Sequence, residues 1–207
     1  FALMSRPDNI FAFIVIGAGH ACCEAALSAS RFGCRVLLLR LNLDHIAQMS
    51  CNPAIGGIAK GQLVREIDAL GGEMGRNADA ASIQSRMLNL SKGPAVWSPR
   101  AQCDKLLYQH RMKCVLEQQD NLVLLQAEVA SLTTDGDRVT GVVTSLGEQF
   151  SATAIVLTPG TFLNGTLHFG DRRRKGGRAG DHASIALSRT LRETLGLKMA
   201  RLKTGTP

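Results

Sequence analysis

Apolar residues fall along the chain in two rhythms, unbroken runs and helical spacings. Residues 12–16, Ala-Phe-Ile-Val-Ile, form one run that closes on Gly17, and Val36-Leu37-Leu38-Leu39 forms another. Runs of this length without polar alternation mark strands buried on both faces, as in a parallel sheet. Between them, residues 24–31 carry Ala25, Ala26 and Ala29 on the side of a helix able to pack closely, with Gly33 as its stop. Strand, glycine turn, helix and strand within about thirty residues predict a βαβ unit with a right-handed crossover.

Residues 62–70 predict a short amphipathic helix ending at Gly71-Gly72. Residues 40–61 and 73–99 show no clear period and are expected to be long connections, a kind of segment that is often functional. Residues 100–119 predict a helix whose buried stripe is Leu106, Leu107, Met112, Val115 and Leu116, with a strand at 122–126 after it. From residue 128 to about 153 short strands with turns at Asp135-Gly136-Asp137 and Leu146-Gly147 predict a small antiparallel meander. Residues 154–158 return to a buried strand, 184–195 to a helix and 198–203 to a final strand.

Composition narrows the class. With 45% hydrophobic and 20% charged residues in 207, the chain is globular and long enough for a well-buried core. Few aromatics and many glycines favour an α/β protein over an aromatic-packed sandwich. No apolar run approaches the ~20 residues of a membrane-spanning helix, and no secretory h-region is evident. Residues 1–10 are expected to be a leader or disordered. Cysteines 22, 23, 34, 51, 103 and 114 show neither C-x-x-C nor metal-ligand spacing, which suggests reduced thiols in the cytoplasm. The net charge of +7 is concentrated at Arg172-Arg173-Arg174-Lys175 and Arg178. That run suits an anionic partner, nucleic acid or nucleotide, and equally suits a solvated loop.

Three stretches carry candidate chemistry. Gly17-Ala18-Gly19-His20-Ala21-Cys22 joins the first strand to the first helix, the context of a dinucleotide-binding turn. Gly17 allows the tight turn, Gly19 lets a pyrophosphate approach the backbone, and the helix N-terminus offers N–H donors. Cys22 stands where a third glycine would allow close helix packing, and Arg40 stands where an acidic residue usually meets a ribose. Arg40 then either pairs a phosphate or faces solvent. Thr158-Pro159-Gly160-Thr161 is a second glycine turn, either beside the nucleotide or a mere strand terminator. The stretch Met49-Ser-Cys-Asn-Pro-Ala-Ile-Gly-Gly-Ile-Ala-Lys-Gly61 is not a Walker loop, because its lysine comes too early and no Ser or Thr follows. Cys51 within it is either a reactive thiol near Lys60 or an inert buried one.

These stretches, with Glu66-Ile-Asp-Ala-Leu-Gly-Gly72, Ser91-Lys-Gly-Pro-Ala-Val96, Arg100-Ala-Gln102, Leu157-Thr-Pro-Gly-Thr-Phe-Leu163, Gly176-Gly-Arg-Ala-Gly-Asp181 and Arg201-Leu-Lys-Thr-Gly-Thr-Pro207, resemble the MnmG (GidA) family. The resemblance implies an FAD-binding Rossmann-like parallel sheet of the glutathione-reductase type with an antiparallel meander. Residues 11–207 would be its N-terminal part, so the fold is incomplete in this chain. It further implies an FAD-dependent enzyme adding a carboxymethylaminomethyl-type group to carbon 5 of the wobble uridine of tRNA, together with the GTPase MnmE. Methylene-tetrahydrofolate would be the one-carbon donor and NADH the reductant, in a cytoplasmic homodimer. The family's FAD contacts fall on Gly17, Ala18, Gly19, His20, Ala21, Cys22, Val129 and Ser184, with Cys22 replacing a glycine and His182-Ala183 replacing Pro-Pro before the serine. Cys51 falls on a family cysteine discussed as a catalytic thiol, and its loop is expected to wall the flavin site, with glycines allowing close backbone approach. Two other readings stand beside this one. They are a folate- and FAD-dependent tRNA uridine methyltransferase-like protein, and a non-catalytic tRNA-binding or dimerisation fragment.

Overall fold

The first apolar run becomes β1 (Ile10–Gly17), followed by α1 (His20–Arg31) and β2 (Val36–Arg40), in a computed structural model that describes residues 9–17, 19–50 and 52–203. β1 and β2 pair in parallel, Phe13 opposite Val36 through Ile16 opposite Leu39. Successive strand residues point to opposite faces, and both faces are covered. Val15 and Leu38 enter one core with Ala26 and Leu27 of α1. Ile14, Ile16, Leu37 and Leu39 enter a second core on the other side. This two-sided cover is the reason the runs lack polar alternation.

The connection after β2 is more structured than its sequence suggests. It contains β3 (Ala54–Gly56), α2 (Gly61–Ala69), α3 (Met74–Ala80), β4 (Ser82–Leu88) and β5 (Ser98–Cys103), with the three strands in the antiparallel order β3-β5-β4. The helix expected from residue 100 is corrected accordingly: residues 98–103 are the middle strand of that sheet, and α4 spans Lys105–Glu117. Asp104 fixes its start by accepting from the amides of Leu106 and Leu107, each at 2.9 Å. The buried stripe also differs. Tyr108, Met112 and Leu116, four residues apart, face the first core, whereas Leu106 is 75% and Leu107 49% exposed.

Gly56 explains the glycine pair of this region. It has φ +87°, and a Cβ built there would lie 2.2 Å from the Pro99 carbonyl oxygen of β5. Gly57 has φ +100°, and its Cβ would come no nearer than 4.0 Å to any atom. The close approach these glycines permit is therefore to the neighbouring strand, which corrects their expected role toward a ligand.

The chain returns to the main sheet through β6 (Leu122–Gln126), β7 (Val129–Asp135), β8 (Arg138–Thr144) and β9 (Gln149–Thr158). The sheet order is β6-β2-β1-β9-β8-β7, four parallel strands extended by two antiparallel ones. The meander and the last buried strand are thus one surface, because β9 pairs with β1 from Ile10–Ser151 to Gly17–Thr158 and with β8 at its start. A hairpin of β10 (Thr166–Phe169) and β11 (Arg172–Lys175) follows, then α5 (Ile185–Arg189), which runs on as a π-helical turn over Thr190–Thr194. Leu187 and Leu191 of this segment close the second core against Val129 and Val142. Residues 198–203 are exposed and form no strand, because nothing among the described residues pairs with them. No helix among the described residues is long and apolar enough to cross a membrane.

One buried carboxylate joins three helices. Glu73 accepts from Arg31 at 2.6 Å and Arg111 at 2.8 Å, and Arg111 also reaches Asn77 Oδ1 at 2.8 Å. Glu24 of α1 accepts from the amides of Glu73 and Met74, which caps α3. Burial alone would raise the Glu73 pKa, but the bonds from Arg31 and Arg111 outweigh it and hold the pKa below 4.5.

Gly56→Ala should cost at least about 3 kcal/mol, since strain and a backbone clash combine there. Gly57→Ala meets strain alone and should cost about 1–2 kcal/mol; urea unfolding of the two variants checks the difference. Glu73 releases its proton more readily folded than unfolded, so its stabilisation is complete above pH 4.5 and disappears as pH falls through the lower folded value. Glu73→Gln should cost about 2 kcal/mol at neutral pH and flatten the acid side of the stability profile; an unchanged acid limb in urea midpoints would count against this.

Candidate functional site

The carboxyl ends of β1, β2 and β9 meet at the first glycine turn. A Cβ on Gly17 would lie 2.4 Å from the Thr158 carbonyl oxygen, so this glycine lets the ends of β1 and β9 touch. Thr158 Oγ1 donates back to the Ile16 carbonyl at 3.3 Å, and Gly160 turns the chain away with φ +58°. The two glycine turns seen in the sequence are therefore neighbours. Ala18 lies outside the described residues.

Gly19 differs from Gly17. Its backbone is extended, φ −115°, and a Cβ there would meet no atom within 4 Å. α1 begins at the next residue with no side-chain cap and no acidic residue in its first turn. Its partial positive charge therefore has no internal counter-charge. Ala21 is exposed, and Cys22 is buried with its Sγ donating to the Gly19 carbonyl at 2.7 Å. The thiol in the third glycine position thus packs inside the core, in contact with the turn it might have displaced. Cys23 donates to the same carbonyl at 3.3 Å.

Arg40 at the end of β2 is 3% exposed, which removes the solvent-facing alternative. Its Nε donates to the Asn42 carbonyl at 2.7 Å and its Nη2 to the His45 carbonyl, while Nη1 is buried without a partner. Burial draws the guanidinium pKa below its ordinary value. His20 Nε2 is likewise buried and unpartnered, with its ring 5.5 Å from that of Tyr108. Burial and the nearby Arg40 lower the His20 pKa from 6.5, so its imidazole is neutral at neutral pH. His45 Nδ1 lies 3.3 Å from Asp181 Oδ1 without the alignment of a hydrogen bond, and Gln48 Oε1 is also unpartnered. His45 and Gln48 were missed in the sequence. The available signal was Asn42, whose side chain accepts from the Asp44 amide at 2.8 Å and orders the loop.

On the other side of the turn, Gly17, Leu39, Ala127, Val129, Ser184 and Leu187 line a mainly apolar cavity of about 30 Å³. The fold thus gathers Gly17, Val129 and Ser184, which are far apart in sequence. Val129 opens β7 and is buried. Ser184 is held by its backbone, donating to the Phe162 carbonyl at 2.9 Å and accepting from the Asn164 amide at 3.1 Å.

Cys51 lies outside the described residues, but both its flanks are anchored. Ser50 Oγ accepts from Arg178 at 3.0 Å, and the Pro53 carbonyl accepts from the Cys103 amide at 2.7 Å. Arg178 also grips Asp181 Oδ2 through Nε and Nη2, at 2.9 and 2.7 Å. This charge is therefore committed to tying the 176–181 turn to the cysteine loop.

Residues 12–207 match the family described as Glucose inhibited division protein A. The tRNA uridine 5-carboxymethylaminomethyl modification enzyme MnmG of Pelobacter propionicus is 62% identical over 204 residues, 99% of this chain and 32% of that protein. Aquifex aeolicus GidA, in its form II crystal, superposes with a TM-score of 0.88 at 52% identity, covering 91% of this chain and 31% of that one. The chain thus spans about a third of the length of these relatives. A probable FAD-dependent monooxygenase from Pseudomonas aeruginosa, pqsL, shares the fold alone, with a TM-score of 0.53 and 13% identity over 71% of this chain and 42% of that one. Sequence and backbone agree with GidA across both glycine turns and the loops between them, and the chain belongs to the glucose-inhibited division protein A (GidA, MnmG) family.

Proposed function

We propose that this chain is the N-terminal part of the FAD-binding region of an enzyme that modifies the wobble uridine of tRNA. The observation that carries the reading is the uncapped start of α1 beside a buried guanidinium with one free nitrogen. A dinucleotide pyrophosphate supplies the negative charge that both features lack. The open side of Gly19 lets a phosphate approach the backbone, a fit that a side chain there would obstruct.

In this reading Gly17, Ala18, Gly19, His20, Ala21 and Cys22 form the phosphate-facing turn. Arg40 Nη1 donates to a phosphate oxygen, and Val129 and Ser184 line the apolar cavity alongside. FAD supplies the electron-transfer chemistry when bound. The chain's own residues bind and orient it, and neutral His20 adds no second positive charge. The finer assignments rest on the family resemblance. In the whole protein we propose NADH as reductant, methylene-tetrahydrofolate as one-carbon donor, MnmE as partner, a homodimeric state and a cytoplasmic location. Cys51 is proposed as a thiol participating in the uridine chemistry, on a loop whose Ser50 flank is tied to the 176–181 turn.

Titration of the chain with FAD, followed by flavin fluorescence, tests the crevice. Gly19→Ala should leave the melting temperature unchanged, because the extended backbone accepts any residue and the Cβ meets nothing. It should weaken FAD binding at least about tenfold, or 1.4 kcal/mol. Arg40→Met should weaken it about ten- to a hundredfold by removing a charge-assisted donor. Parent-like FAD affinity in Gly19→Ala would defeat the assignment. Cys51→Ser in a full-length family member should abolish uridine modification while the flavin spectrum persists; retained modification rules out an essential thiol.

A further inference from the structure

The hairpin of β10 and β11 presents unpaired positive charge on a regular scaffold. All four residues of β11, Arg172, Arg173, Arg174 and Lys175, are exposed. Among the described residues none of them forms an ion pair, and Lys175 Nζ donates only to the neutral side-chain oxygen of Asn164, at 2.9 Å. Other cations, Arg31, Arg111, Lys113 and Arg178, are each matched to a carboxylate. Arg201 adds a charge at the base of the hairpin by donating to the Asn164 carbonyl at 3.1 Å and Thr166 Oγ1 at 3.3 Å.

The register sorts these charges by face. Phe169 pairs with Arg172 and Leu167 with Arg174, so two arginines share one face with an aromatic and an aliphatic side chain. Phe169 is 56% exposed. Leu167, Phe169, Arg174, Lys175 and His182 line a cavity of about 120 Å³ at this face, with Asp181 there already paired to Arg178. An exposed ring beside unpaired guanidinium groups is the chemistry that receives RNA, with bases on the aromatic face and phosphates on the arginines. An anionic membrane surface would not need the recess. The hairpin is also anchored to the proposed flavin crevice: the Gly176 amide donates to the Gly165 carbonyl at 3.2 Å, Thr161 Oγ1 to the Gly177 carbonyl at 2.7 Å, and Arg178 to Ser50.

From this we infer that the hairpin is a docking surface for the tRNA substrate, with Arg172–Lys175 gripping its phosphates and Phe169 stacking on an unpaired base. The inference rests on the tRNA-modifying reading above and adds the surface that holds the substrate.

The test measures binding of fluorescently labelled tRNA to the chain across a salt series, with FAD titration of the same proteins. The quadruple variant R172S/R173S/R174S/K175S should bind tRNA more than tenfold more weakly at low salt. The slope of log affinity on log salt should fall by about 3, at roughly 0.7–0.9 for each lost phosphate contact. Phe169→Ala should weaken binding about tenfold with the slope unchanged. The single variants R173S and R174S should each lower the slope by about one, which keeps the test decisive if the quadruple variant does not fold. The inference is overturned by a parent-like slope in these variants, by a parent chain that binds no tRNA, or by hairpin-dependent binding to phosphatidylserine vesicles in place of tRNA. FAD binding separates the two readings. A parent chain that binds tRNA through the hairpin but takes up no FAD supports the docking surface and overturns the flavin crevice; FAD binding with hairpin-independent tRNA binding does the reverse.

Discussion

Gly17 has no Cβ, and the Thr158 carbonyl lies where one would project. This contact brings the ends of two parallel strands together and sets the rest of the site. β1 stops level with β9, the chain turns through Gly19, and α1 starts with its amides directed at the strand ends. A larger residue would have to separate the strands or redirect the turn, and either change moves the helix N-terminus. The tolerance is a fraction of an ångström, because a protein interior packed like a crystal has little room to absorb a displacement.

Electrostatics build on that geometry. A guanidinium loses much of its hydration when buried, and carbonyl acceptors restore only part of it. Arg40 has two such acceptors, both on the loop after β2, and this organises residues 42–45 while leaving Nη1 without one. The elements that could have supplied an anion do not: α1 opens without an acid, and Asp181 is held by Arg178. The site thus keeps a positive potential at the strand ends that an anionic ligand would relieve. Stability is concentrated elsewhere, at Glu73, where two arginines and the α3 cap compensate a buried carboxylate.

Legibility followed the range of the forces involved. β1, β2, β6 and the meander could be read because an apolar run or a turn dipeptide is a local signal. Residues 98–103 could not, since Ser-Pro-Arg-Ala-Gln-Cys has no strand pattern of its own and becomes a strand only between β3 and β4. The misread face of α4 has a related cause. Tyr108 carries a polar group and looked like a surface residue, yet the core receives its ring and burial pushes its phenol pKa up. At the site, the glycine turn was visible, whereas the burial of Arg40 and the separate destinies of Arg178 and Arg172–Lys175 were not. Charge composition counts cations and cannot tell which have found carboxylates.

The contact between Ile16 and Thr158 joins residues 142 apart in the chain. During synthesis, β1, α1 and β2 leave the ribosome first and can pair locally, but the strand that completes their carboxyl ends arrives only after the intervening sheet and meander. Contacts so distant form late, because the loop they close must be ordered before they return any stability. The nucleotide turn would therefore wait on the nascent chain as an unfinished edge beside β1. Its maturation is timed by translation of the β9 segment, so a ribosome pausing before that point would hold a chain with its fingerprint sequence in place and no site.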